Sequence, residues 1–131
     1  VRESNGSAPG GTEVGYVGQG AANYVHFNGV YAPTSGQYIM LVEYSNGEVY
    51  SGADGGAAFR YAQISVNGGA AQQVYFDNTV NYTTYQEPAV SVQLNAGNNT
   101  VKCYNSSTSP NPNIGSGWVP VPPQIKVASA Q

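Results

Sequence analysis

Polar and apolar residues alternate along most of this chain, and no stretch carries a helical period. The clearest run is Gln37 to Tyr44, where Tyr38, Met40, Val42 and Tyr44 share one face and Ile39, Leu41 and Glu43 the other. Both faces are partly apolar, which predicts a strand central to its sheet. Asn23 to Val30 sets Val25 and Phe27 opposite Tyr24 and His26. Arg60 to Asn67 alternates through Ala62, Ile64 and Val66, and Asn67-Gly68 is a hairpin signal with Gln72 to Phe76 returning. Val90, Val92 and Leu94 lead into the turn Ala96-Gly97-Asn98-Asn99, from which Val101 and Cys103 come back. Glu13–Val17 reads as a first strand and Gln124 to Ala128, carrying Ile125 and Val127, as the last.

Between these runs lie turn-rich stretches. Ala32 to Gly36 is a turn by composition, Ser45 to Ala58 is a Gly-rich loop, and Asp77 to Pro88 is a polar connection with tyrosines. Tyr104 to Pro123 holds the one tryptophan, Trp118, and five of the eight prolines. Each proline removes a backbone donor and fixes its own φ, so no regular element is expected there. About eight short alternating strands must bury one face each against a second layer. The expectation is an all-β fold: a two-sheet antiparallel β-sandwich of jelly-roll type, one domain over residues 1–131. Its long loops then gather at the sandwich ends.

Composition narrows the chemistry. Charged residues make up 8% of the chain, against about 25% in an average protein. Eleven tyrosines against three phenylalanines is a secreted, β-rich usage, and tyrosine suits surfaces that stack on polar ligands. The four basic residues, Arg2, Arg60, Lys102 and Lys126, are scattered and make no phosphate patch, so nucleic acid is excluded as a partner. No apolar run is long enough for a membrane span, and no signal peptide is read, so a mature segment or an excised module is expected. Cys103 cannot form an internal disulfide and reads as a small buried hydrophobe. Sequons at Asn5, Asn81, Asn98 and Asn105 are compatible with secretion.

A series of short motifs points further. G-G-T-E-V-G-Y-V-G-Q-G, V-H-F-N-G-V, A-P-T-S-G-Q-Y, V-E-Y-S-N-G, R-Y-A-Q-I-S-V-N-G-G, V-Q-L-N-A-G-N-N-T-V and S-G-W-V-P-V-P-P-Q-I-K-V occur in this order over nearly the whole chain. In this the chain resembles carbohydrate-binding module family 35 and the related modules of secreted galactosidases and galactanases. The resemblance implies a jelly roll, an extracellular setting, and a sugar held in loops at one sandwich end. It also implies calcium, held by two glutamates separated by one residue near the start and an aspartate before the last strand. Here Val1 stands for the first glutamate and Pro123 for the aspartate. Glu3 is the matched ligand that remains, and with a few carbonyls it could hold calcium weakly.

The candidate ligand residues follow from chemistry and resemblance together. Trp118 either stacks on the C–H face of a pyranose or plugs the end of the core. Asn105 matches the family asparagine that contacts sugar hydroxyls, since an amide both donates and accepts; otherwise it is a turn residue or a glycosylated sequon. Arg60 can engage two sugar oxygens or a uronate with its guanidinium fork, or pair with Asp54 or Glu48. Asn46 and Tyr50 border the Gly-rich loop, and Tyr61 points outward beside it. Tyr44 lies on the inward face and His26 on the outer face without a clustered partner.

No carboxylate pair, nucleophile elbow or phosphate loop supports catalysis. The expected function is a non-catalytic, monomeric carbohydrate-binding module that tethers the catalytic domain of a secreted polysaccharide-degrading enzyme to its substrate. Galactose-containing or uronic-acid glycans are favoured. The alternative is a structural β-sandwich that packs on a glycoside hydrolase domain without binding sugar.

Overall fold

The Gln37–Tyr44 alternation becomes the middle strand of a sheet in the computed structural model, which describes residues 2–4, 12–14, 20–47, 49–50, 56–57, 60–106 and 121–129. The strands are β1 (Arg2–Ser4), β2 (Thr12–Val14), β3 (Tyr24–Ala32), β4 (Gly36–Ser45), β5 (Val49–Tyr50) and β6 (Gly56–Ala57). They continue with β7 (Arg60–Val66), β8 (Gln72–Phe76), β9 (Ala89–Leu94), β10 (Gly97–Tyr104) and β11 (Val121–Ser129). One sheet has the order β11-β4-β9 and the other β3-β10-β7-β8. All their pairings are antiparallel, giving the two-sheet sandwich the alternation predicts.

The core lies between the two sheets. Tyr38, Met40, Val42 and Tyr44 of β4 are buried with Val90, Val92 and Leu94 of β9. Against them pack Val25, Ala62, Ile64, Phe76, Val101 and Cys103 of the four-stranded sheet. Cys103 is a core hydrophobe, as expected. Burial pushes its thiol up to about 12, which leaves it unreactive.

Two local devices set the register. Gly29, at φ 74°, sits where β3 carries one extra residue between Phe27 and Val30 against Asn99 and Val101 of β10. The bulge reverses the alternation, so Ala32 is buried and Tyr31 exposed. At the β7–β8 hairpin, Asn67 (φ 51°) and Gly68 (φ 72°) both take the positive φ of a type I′ turn, and Gly69 N–H donates to the Val66 carbonyl at 2.9 Å.

Three expectations are corrected. β9 and β10 do not return on one another: β9 pairs with β4, while β10 crosses to the other sheet between β3 and β7. The buried Asn99 side chain makes this corner, accepting from Asn95 N–H at 2.9 Å and donating to the carbonyls of Asn95 and Gly97 at 2.9 and 3.1 Å. The first strand is Arg2–Ser4, paired with Thr12–Val14 in place of Glu13–Val17. The Ser45–Ala58 loop contains a two-residue ladder, Val49 with Ala57 and Tyr50 with Gly56. Three residues or two are too few to display an alternation.

Candidate functional site

Strand direction gathers the candidate residues. β4 ends at Ser45, β7 starts at Arg60, β8 ends at Phe76 and β10 ends at Tyr104, all at the same end of the sandwich. Asn46, Arg60, Tyr61 and Asn105 therefore converge there. Arg60 is the register partner of Phe76, Asn46 Nδ2 donates to the Phe76 carbonyl at 3.3 Å, and Asn105 Nδ2 donates to the Tyr61 carbonyl at 2.8 Å.

Burial separates their roles. Asn46 and Asn105 are fully buried, and Arg60 is nearly so. The Asn46 main chain is tied in both directions to Thr79: its N–H donates to Thr79 Oγ1 at 2.8 Å, and its carbonyl accepts from Thr79 N–H at 2.8 Å. The Asn105 carbonyl accepts from Gly20 N–H at 3.1 Å. These two amides fasten the ends of β4 and β10 to neighbouring chain, which fixes where the loops leave the sandwich. The buried Asn105 Nδ2 is also the atom a glycan would need, so this sequon is closed in the folded protein, whereas Asn81 and Asn98 are exposed. Tyr61 is half-buried on the outer side of its sheet, with its ring centroid 6.2 Å from that of Tyr75.

Tyr44 belongs to the core, beneath this end. Its ring meets Phe76 edge-on at 4.8 Å, and its hydroxyl donates to the Asp77 carbonyl at 3.0 Å with Gln86 Oε1 at 3.1 Å. Burial first, and the nearby Asp77 charge second, push the phenol up to about 12. Gly47 makes a close approach: a Cβ there would lie 2.7 Å from the Asn81 carbonyl carbon and the Tyr82 nitrogen. The 79–82 segment is thus part of this end of the molecule. Nothing in its polar sequence marks it except Thr79, which follows an Asp-Asn pair and whose hydroxyl bridges Asn46 N–H and the Asn81 carbonyl.

Tyr50 lies in β5 and Glu3 in β1, placed by their backbones, with Glu13 as the register partner of Glu3. Trp118 lies outside the described residues. Among the described residues no group of three or more His, Cys, Asp or Glu could hold a metal ion.

No protein-family model and no curated protein matches the sequence. Solved structures do. A family 35 carbohydrate binding module from Clostridium thermocellum is 39% identical, over 98% of this chain and 87% of that one, with a TM-score of 0.84. An exo-β-1,3-galactanase from Phanerochaete chrysosporium, solved with galactose, shares the fold at 22% identity and a TM-score of 0.78, over 98% of this chain and 26% of that one. A further family 35 module, Xyl-CBM35 in complex with a glucuronic acid containing disaccharide, shares it at 24% identity and a TM-score of 0.73, over 100% of this chain and 84% of that one.

Proposed function

The chain belongs to family 35 of the carbohydrate-binding modules, and from this we propose that it binds a glycan chain at the sandwich end where Asn46, Arg60, Tyr61 and Asn105 converge. It is a binding module and not an enzyme. The convergence of those four residues at one end carries the placement. Buried amides fix the ends of β4 and β10, the strand ends that border the proposed site. Trp118, which follows Asn105 in the segment between β10 and β11, is the residue proposed to supply the flat apolar face for a sugar ring. Tyr50, Tyr61 and Arg60 are the further ligand contacts proposed, while the buried Asn105, first read as a sugar contact, holds the end of β10 through its bond to the Tyr61 carbonyl.

The module would keep a secreted polysaccharide-degrading enzyme beside its substrate. Tethering works through effective concentration, so even a weak binder raises the frequency of productive encounters. Galactose-containing and uronic-acid glycans are the favoured ligands, supported by the galactose and glucuronic acid named with two of the similar structures.

Calcium belongs to this proposal in reduced form. Calcium takes about six to eight oxygen ligands, and Val1 and Pro123 supply no side-chain oxygen. The register of β1 against β2 sets Glu13 opposite Glu3, so these two positions are the ones proposed to serve an ion.

The test is titration calorimetry of the chain against galactan, polygalacturonate and a β-glucan, with calcium and with chelator. Saturable binding to at least one is expected, and Trp118→Ala should abolish the loop-end binding, read on neutral galactan, with little change in melting temperature. Failure to bind any would overturn the proposal in favour of a purely structural sandwich. Unfolding of the Trp118 variant would instead assign the indole to the core.

A further inference from the structure

The outer face of the four-stranded sheet has a composition that packing does not require. Residues that alternate with the buried ones run across it as Tyr24 and His26 on β3, Lys102 and Tyr104 on β10, Tyr61 and Gln63 on β7, and Gln73 and Tyr75 on β8. Cross-strand registers put Tyr104 between Tyr24 and Gln63, Lys102 between His26 and Ser65, and Tyr61 opposite Tyr75. Tyr24 is 48% exposed and Tyr75 58%. These rings lie open to water although nothing prevents smaller polar residues from occupying the same strand positions.

Lys102 is the centre of the face. Its Nζ lies 4.3 Å from the Tyr24 ring centroid and 4.9 Å from that of Tyr104. Two cation–π contacts hold the long side chain in one place without neutralising its charge. It makes no ion pair with a described carboxylate. Of the acidic residues whose side chains are described, Glu43 is buried in the other sheet and Asp77 and Glu87 lie beyond the strands of this face. The whole chain carries a net charge of −3, so a cation held between tyrosine rings, with no described carboxylate paired to it, is a local reversal of sign. Beside it, Gln63 Nε2 donates to Gln73 Oε1 at 2.9 Å and Gln73 Nε2 to the Tyr75 hydroxyl at 2.8 Å, a fixed row of amides and hydroxyls.

We propose that this face, centred on Lys102 between Tyr24 and Tyr104, is a second binding surface that takes an acidic, uronate-bearing polysaccharide chain. Tyrosine faces receive the apolar sides of successive sugar rings, the amide row receives hydroxyls, and Lys102 receives a carboxylate. Neighbouring strands stand about 4.8 Å apart, so a chain lying across them meets a new side chain at each step. The surface is continuous with the loop end, because Tyr104 directly precedes Asn105 and the Tyr61 carbonyl accepts from Asn105. One long polymer could engage both surfaces and gain from the high effective concentration of the second.

The experiment uses polygalacturonate oligomers and neutral galactan oligomers of matched length. In wild-type protein, amide shifts on polygalacturonate addition are expected at Tyr24, Lys102 and Tyr104. In a Trp118→Ala background, which removes the loop-end contact, polygalacturonate binding should persist. Adding Lys102→Gln should weaken it about tenfold or more and remove most of its salt dependence, and Tyr24→Ala should also weaken it. Unchanged affinity in both variants, with shifts confined to the loop end, would overturn the second surface while leaving the loop-end reading intact. Equal binding of galactan and polygalacturonate at these residues would overturn the acidic occupant. Loss of all binding in Trp118→Ala alone would also overturn an independent surface.

Discussion

Asn67 Nδ2 donates to Asn99 Oδ1 across 2.7 Å, so the hairpin turn after β7 is bound to the corner that begins β10. The same Asn67 accepts from Thr100 N–H through Oδ1 at 2.9 Å and donates its own N–H to the Thr100 carbonyl at 2.9 Å. Asn99 also donates to Val30 O at 3.2 Å. One buried amide therefore ties β3, the β9–β10 corner and the β7–β8 turn at the end of the sandwich opposite the loop-end site.

Asn99→Ala leaves the Asn95 N–H and several carbonyls without their partner at a part-buried corner. Each unsatisfied group of this kind costs about 1–3 kcal/mol, so a total loss of about 3 kcal/mol is expected. In a chain of this size that corresponds to a fall of roughly 10 °C in melting temperature. Sugar affinity at temperatures where the variant is folded should be unchanged, because the change lies at the other end. Calorimetric unfolding and titration together check both halves.

Gly47→Ala acts at the site end. The added carbon would meet main-chain atoms of Asn81 and Tyr82 at 2.7 Å, and a backbone cannot step aside as a flexible side chain can. Segment 79–82 must shift, straining the Thr79 bonds that hold Asn46. A loss of about 1–3 kcal/mol is expected. If the loop end is the sugar site, affinity falls as well, in contrast to Asn99→Ala, and the two variants compared by titration separate stability from placement.

The sandwich itself was legible because burial on one face leaves a trace at every second residue. Tyr38, Met40, Val42 and Tyr44 show it cleanly, and two partly apolar faces correctly made β4 central. Asn67-Gly68 was legible because few residues other than Asn and Gly accept two positive φ values in succession. Asn99 was not, because a buried amide that completes a corner has the same letter as one in a solvated turn. Asn46 and Asn105 share that ambiguity. Sequence marked them as significant, but an amide aimed at the Phe76 or Tyr61 carbonyl looks like one aimed at a hydroxyl of a ligand. Lys102 read as one of four scattered bases, because its two tyrosine neighbours come from positions 24 and 104 and meet only across a strand pair.

Alkaline pH tests the buried acids. Tyr44 is pushed from its ordinary 10.0 up to about 12, and Cys103 from 9.0 up to about 12, both chiefly by burial. Each holds its proton more tightly folded than unfolded, so their contribution is complete below about pH 9 and is lost as pH rises towards 12. Melting temperature should stay level to about pH 9 and then fall. In Tyr44→Phe the starting stability is lower by about 1 kcal/mol for the lost hydroxyl bonds, and the alkaline fall should be shallower. An equally steep fall would place the titrating groups elsewhere.

Calcium separates two accounts of the chain start. Glu3 and Glu13 are cross-strand partners in the β1–β2 ladder, and like charges directly opposite one another weaken a strand pair. A bound divalent cation would reverse that sign and stabilise the folded state by mass action. Melting temperature should therefore rise with added calcium and return with chelator. Glu3→Gln or Glu13→Gln should each remove the calcium response and raise the melting temperature in chelator, because the repulsion goes with the charge. Loss of stability in chelator for both variants would mean that the carboxylates serve the fold without an ion. A calcium response that survives both would locate the ion away from the β1–β2 ladder.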